Sequence, residues 1–318
     1  MGLYIIRRLL FAIIMLLIVT LMVFLAMRLL PGDPILLILT RGEADKISDE
    51  DIQTLRHEFG LDRPLAVQYV TWVSGAFRGD LGMSITQRVP VTQELARRFP
   101  ITLHLSLLAL FLSIIIGIPA GVICAVRRGT WIDTLVTVLA NLGITVPSFW
   151  LGILLIYLFA MELKWLPVFG YTSPFVDIGR STKQILMPVF CLSIFGLASI
   201  ARQTRSSMLE VMRQDYIRTG WAKGLRERSI IIRHALKNGL IPVVTLLGVS
   251  LSHVLGGSVL IETVFQIPGI GRMVVNGVFG QDYAVVQGVI FVIAIAVLLI
   301  NLVIDVSYAW LDPRIRYG

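Results

Sequence analysis

The chain has 318 residues, of which 56% are apolar and only 15% are Asp, Glu, Lys or Arg, with a formal net charge of +8. Its mean hydropathy is +0.82. A soluble domain carries about a quarter charged residues, which excludes that class, and 27 Gly and 13 Pro are too few for a collagen-like or disordered chain.

A helix rising about 1.5 Å per residue needs about 20 apolar residues to cross a bilayer core, and this requirement organises the rest of the reading. Six runs meet or approach it: Leu9–Leu30, Ile101–Val126, Ile132–Ala160, Ile185–Ile200, Leu240–Ile261 and Ala284–Ile304. The first follows Arg7 and Arg8, but its 19-residue core is long for a signal peptide and no small-x-small site follows, so it is expected to stay as an anchor. The fourth run, 16 residues, is expected to continue as a more polar helix toward Ser207. Prolines 119, 147, 188 and 242 fall inside spans and favour kinks. Such kinks suit either a path that opens or ordinary bundle packing.

Between the first two spans, Pro31 to Pro100 is too long for a simple connection. Ser48 followed by Asp49, Glu50 and Asp51 predicts a helix start, and Gly60 its end. Val67–Phe77 predicts an interfacial helix and Val91–Phe99 a further short one. Together they predict a small subdomain that braces the first span or receives a partner.

Orientation follows from basic residues. With the N-terminus inside, segments 1–8, 127–131, 201–239 and 305–318 hold 15 of the 28 Lys and Arg. Both termini are therefore expected in the cytoplasm, and the surplus charge is a topology signal rather than a nucleic-acid surface. Tyr4, Trp131, Trp150, Trp165, Tyr283, Tyr308 and Trp310 agree as interfacial aromatics.

The largest inner segment, Ala201–Asn238, carries nine basic residues against Glu210, Asp215 and Glu227. Gly220 and Gly224, four apart, either share one helix face for close approach or end one short helix before the next begins near Arg226.

Charged residues near the spans predict little chemistry. Asp305 is expected near an aqueous end, since a charge at mid-membrane costs about 3 kcal/mol. Arg28 and Glu262 are expected to snorkel or cap at span ends. His104 and His253 lack partners at metal-ligand spacing, and Cys124 and Cys191 have no CxxC spacing. Gly257-Ser258 lacks a G-x-S-x-G frame, and His57-Glu58 lacks a second His four positions on. No G-x-x-x-x-G-K-[ST] phosphate loop occurs, so the chain is not expected to hold ATP in that way.

The segment Asp215-Tyr-Ile-Arg-Thr-Gly-Trp-Ala-Lys-Gly224 with His234-Ala-Leu-Lys-Asn-Gly-Leu-Ile-Pro242 resembles the cytoplasmic signature of binding-protein-dependent ABC importer permeases. It is most similar to the dipeptide, oligopeptide, nickel and glutathione branch. Further matching stretches run in order along nearly the whole chain: Pro31-Gly-Asp-Pro34, Gly79-Asp-Leu-Gly82, Arg205-Ser-Ser-Met-Leu-Glu210, Glu262-Thr-Val-Phe265, Pro268-Gly-Ile-Gly-Arg272, Asp282-Tyr283 and Asp312-Pro-Arg-Ile-Arg316.

The resemblance implies an all-α integral membrane protein with six transmembrane helices, a type I ABC importer fold and a small helical periplasmic subdomain. Residues 1–30 would be the first span, 31–94 the periplasmic subdomain, 95–307 the transmembrane domain with coupling segment 208–237, and 308–318 a cytoplasmic tail. It implies a non-catalytic subunit in the inner membrane with no cofactor of its own, ATP being used by partners. Those partners would be a homologous second permease, two ATPase subunits and a periplasmic solute-binding protein, besides membrane lipid.

Arg218-Thr219-Gly220 occupies the place of the family's Glu-Ala-Ala and Gly224 that of its glycine. Asp215, Tyr216, Arg218, Thr219, Gly220, Ala222, Lys223, Gly224 and Leu225 are thereby expected to couple the chain to an ATPase. A self-sufficient secondary carrier, which would want mid-membrane ionisable groups and inverted repeats, and an intramembrane hydrolase are the alternatives.

Overall fold

The computed structural model describes residues 2–41 and 49–311, and their side chains except those of 2–5, 38–41, 49, 51 and 305–311. Ser48, the side chain of Asp305 and the stretch Asp312-Pro-Arg-Ile-Arg316 lie outside the described residues, and with them the expectations placed there. In chain order the helices are α1 (Gly2–Leu29), α2 (Pro34–Arg41), α3 (Asp49–Glu58), α4 (Leu65–Phe77), α5 (Val91–Val126), α6 (Trp131–Thr145) and α7 (Ser148–Leu155). Helix α7 continues as a wider π-helical winding over Ile156–Glu162. Then come α8 (Ile178–Val211), α9 (Asp215–Ala222), α10 (Glu227–Ser229), a π-helical stretch Ile230–Ala235, α11 (Leu236–Gly239), α12 (Ile241–Val264), α13 (Ile270–Phe279) and α14 (Tyr283–Leu311). Five helices are long and apolar enough to cross a membrane, and the bent pair α6–α7 makes a sixth when counted as one span.

The third apolar run is not one helix. Val146 is extended, Pro147 brings no N–H, and α6 and α7 meet there at 103°. Pro147 therefore breaks its span, whereas Pro188 sits inside α8 and Pro242 occupies the first turn of α12, where an N–H has no helical partner anyway. Val91–Phe99 is not a separate helix either. It forms the first turns of the 36-residue α5, which runs through Pro100. Leu95, 4% exposed, and Phe99 are packed into a core there, and that packing carries the helix past the proline.

The fourth run extends at both ends, to Ile178 and Val211. Asp177 accepts the N–H of Arg180 at 2.9 Å as a helix cap. Ser181, Gln184, Ser193, Thr204 and Ser207 of α8 are all buried. They face protein rather than lipid, which is why apolarity alone drew the segment too short.

The described residues divide into two compact units, one of those up to Thr102 with Pro268–Leu299 and one of Leu103–Ile267 with those from Ile300 onward. In the first, Leu16, Ala76, Leu81, Val91, Leu95, Ile270, Met273, Val285, Val289 and Phe291 form a core. Trp72 and Phe77 set their edges on the Phe291 ring at 6.1 and 5.9 Å between centroids. The loop between α4 and α5 is fixed by Asp282, whose carboxylate accepts Ser84 Oγ (2.6 Å), Thr86 N–H (3.0 Å), Thr86 Oγ1 (2.8 Å) and Val285 N–H (3.2 Å). Arg28 does not snorkel: its guanidinium lies over the rings of Phe24 and Tyr283, 4.5 and 4.1 Å from their centres.

In the second unit α8 packs against α6, α7, α11 and α12. Glycines let helices approach it closely. A Cβ added at Gly117 of α5 would stand 2.9 Å from the Leu197 carbonyl oxygen, and one at Gly121 2.6 Å from Thr204 Cβ. Close packing of small residues is how membrane helices gain contact where lipid is as apolar as any side chain. Glu262 is fully buried within α12 instead of capping a span end. The ring of His253 packs on Phe195 at 4.1 Å between centroids. His104 Nδ1 lies 3.1 Å from the Tyr171 hydroxyl, whose pKa is pushed up by burial.

Candidate functional site

The basic inner segment builds one exposed short helix on a buried base. Gln214 is extended, α9 starts at Asp215, and this acid in the first turn suits the positive helix end. One side chain of α9 points inward: Ile217 is 1% exposed and joins Ala125, Met208, Ile230 and Ala235 in a core flanked by Val122, Leu209 and Leu236. Fully burying such a side chain contributes roughly 1.5–3 kcal/mol. A second tie is polar, from Asn238 Nδ2 to the Tyr216 hydroxyl at 2.8 Å.

The end of α9 resolves the two readings of the glycine pair. Gly224 N–H bonds the Trp221 carbonyl at 2.9 Å and Leu225 N–H that of Gly220 at 3.3 Å. Gly224 has φ +74°, a left-handed conformation that favours glycine. It lies past the helix end, and the chain turns into α10, which starts at Glu227. The two glycines therefore share no helix face. Gly220 lies inside α9, where an added Cβ would stand 3.7 Å from Ile230, while one at Gly224 would meet nothing within 4 Å.

Asp215, Tyr216, Arg218, Thr219, Ala222, Lys223, Gly224 and Leu225 are exposed, and Gly220 is half-buried. Six of the nine predicted residues thus lie on α9, and Lys223, Gly224 and Leu225 form the turn that ends it. Trp221, which the resemblance did not single out, is 41% exposed, and Tyr216 and Leu225 are exposed to a similar degree, 45% and 43%. Arg213, Arg226 and Arg228 are also exposed around them. The result is an amphipathic tip of aromatic and basic groups anchored on a buried core. Among the described residues no three His, Cys, Asp or Glu side chains gather to hold a metal.

The basic inner segment also takes part in an ion pair that composition and motif did not reveal. Arg205 of α8 forks onto Asp133 of α6 through Nε at 2.6 Å and Nη2 at 2.9 Å, and Gly129 N–H adds a bond to Asp133 at 3.0 Å. The side chain of Asp133 is only 7% exposed. Its signal in the sequence was an acid in the first turn of an apolar run. A cavity of 480 Å³ opens there, lined by Arg128, Arg205, Glu210, Arg213 and Asp215 among others.

The sequence profile of the family described as "Binding-protein-dependent transport system inner membrane component" matches residues 117–317, and that of its N-terminal part matches residues 1–106. A "Probable peptide ABC transporter permease protein" of Sinorhizobium fredii is 42% identical over 317 residues, covering 100% of both chains. The glutathione transport system permease protein GsiC of Escherichia coli is 42% identical over 314 residues, 99% of each chain. Among solved structures, the inward-facing methionine ABC transporter MetNI in its native crystal form matches with a TM-score of 0.57 at 22% identity, over 69% of this chain and 96% of that one. A second crystal form of MetNI gives 0.56 at 20% identity, over 69% and 97%. The fold is thus an all-α, multi-span membrane fold related to the MetNI transmembrane domain. Such permeases are non-catalytic and work within an importer complex in which separate subunits use the ATP. The chain belongs to the inner membrane components of binding-protein-dependent transport systems, as the transmembrane permease subunit of an ABC-type importer.

Proposed function

We propose that the chain forms, with a homologous second permease, the path by which a peptide-like solute crosses the inner membrane by alternating access. In this reading six helices span, counting the bent pair once, in a type I arrangement with both termini cytoplasmic. Residues 31–94 form a periplasmic subdomain, 95–307 the transmembrane domain and 308–318 a cytoplasmic tail. A periplasmic binding protein delivers the solute. The peptide and glutathione permeases among its full-length relatives support that solute class.

Two ATPase subunits would supply the force, and this chain would receive it through α9 and the turn after it, residues 215–225. The carrying observation is that α9 presents Tyr216, Trp221 and exposed basic side chains outward while Ile217 pins it to a buried core. A partner that docks differently on such a helix in its two nucleotide states shifts the inward/outward balance by that difference.

The test is uptake in cells carrying Gly224→Val. A β-branched residue at φ +74° costs about 1–2 kcal/mol locally and nothing in the apolar spans. Uptake should be lost with membrane insertion unchanged, and Thr219→Cys should cross-link to an ATPase subunit with a yield that changes on ATP addition. Wild-type uptake with Gly224→Val, together with no cross-link, would refute the assigned role.

A further inference from the structure

Three buried hydrogen-bond donors of the first unit line one cavity. Its volume is 300 Å³, and its wall includes Arg28 from the last turn of α1, Trp72 of α4 and Gln287 of α14. Arg28 Nη1, Trp72 Nε1 and Gln287 Nε2 are shielded from solvent, and none meets an acceptor among the described residues. Gln287 as a whole is 4% exposed. A buried donor that has lost its water must find an acceptor or forfeit the bond, and native structures leave few such groups. Arginine and tryptophan have no acceptor form, so the matching group must bring its own oxygens.

The surroundings fix the sign of that group. Arg28 is held in place: Nε and Nη2 donate to Gln68 Oε1 at 3.2 and 2.6 Å, and aromatic rings cover the guanidinium. Gln68 Nε2 is engaged by the carbonyls of Leu61 and Arg63. Among the described residues no carboxylate pairs with Arg28. The charged groups on the cavity wall besides it, Glu58, Arg63 and Asp80, are exposed, and Asp80 already accepts the Gly82 N–H. A fixed, shielded cation whose Nη1 is unengaged, together with two neutral donors, is a receptor for an oxyanion.

Depth favours one source. Arg28 lies at the end of the apolar stretch Ile6–Leu29, the level at which lipid headgroups meet the hydrocarbon. Leu25, Leu29 and Val70 nearby in sequence are exposed apolar side chains, suited to acyl chains.

We propose that this cavity binds a single oxyanion, a phosphate or carboxylate group, held by Arg28, Trp72 and Gln287. A phospholipid headgroup is the source its depth favours, and a free small anion is the other.

The test uses the full chain in detergent, stripped of lipid. Phosphatidylglycerol and diacylglycerol, which lacks the phosphate, are added in turn and counted by native mass spectrometry; inorganic phosphate is followed by equilibrium dialysis. One phosphatidylglycerol should bind in clear preference to diacylglycerol. Arg28→Gln should weaken it about tenfold or more, as expected for a charge-assisted bond. Trp72→Phe keeps the ring against Phe291 and removes only the N–H, for a loss of about threefold. Phosphate binding with these losses but no lipid preference would keep the site and identify a free anion. Equal binding by parent and variants, or none by the parent, would overturn the proposal. If Arg28→Gln does not fold, Trp72→Phe and Gln287→Leu decide the question.

Discussion

Helix α1 is the most apolar of the spanning helices and the least buried against its own chain, 17% against 67% for α8, whose buried face includes serines, a threonine and a glutamine. In water the ranking would be reversed. In a bilayer, apolar side chains gain nothing by leaving lipid for protein, so contact follows small residues and hydrogen bonds instead. Apolarity marks where the chain meets oil, and polarity within a span marks where it meets itself.

That contrast breaks most readily at the foot of α8. Asp133→Ala strands the Arg205 guanidinium, and we expect a loss of about 3 kcal/mol, the low end for a buried pair because Arg205 is 32% exposed. Thermal denaturation in detergent measures it, and Arg205→Ala added to Asp133→Ala should recover part of the loss. Next is Gly121→Val on α5, which drives a side chain into the α8 backbone. Overpacking of this kind costs about 2 kcal/mol, read as reduced folded protein in the membrane. The smallest effect belongs to α1: Met22→Ala, at a position 65% exposed, should change stability by less than about 0.5 kcal/mol. A large loss there would mean that α1 is clasped by another protein chain.

The sequence made the spans legible wherever lipid sets the composition, as in α1 and α14. It misjudged α8, because Ser181 and Gln184 are polar groups buried against the rest of the chain, which no residue window sees. Proline was ambiguous for a related reason. At Pro100 the helix runs on beside the packed core of Leu95 and Phe99, while at Pro147, itself exposed, the chain turns. At the candidate site, the spacing of Gly220 and Gly224 allowed two readings, and only the left-handed backbone of Gly224 chose the helix end. The Asp133–Arg205 pair was not legible, since its partners stand 72 residues apart. Arg28 and Glu262 were placed at span ends by position, but their burial depends on neighbours from other helices.

The corner at Val146-Pro147 has a consequence for what can lie beside it. A right-angled bend leaves peptide carbonyls that no later turn of the same coil can serve, and acyl chains carry no proton to offer them. That shoulder of the molecule must therefore be turned toward moisture or toward protein, its own or another's. It marks a flank the fatty medium cannot coat.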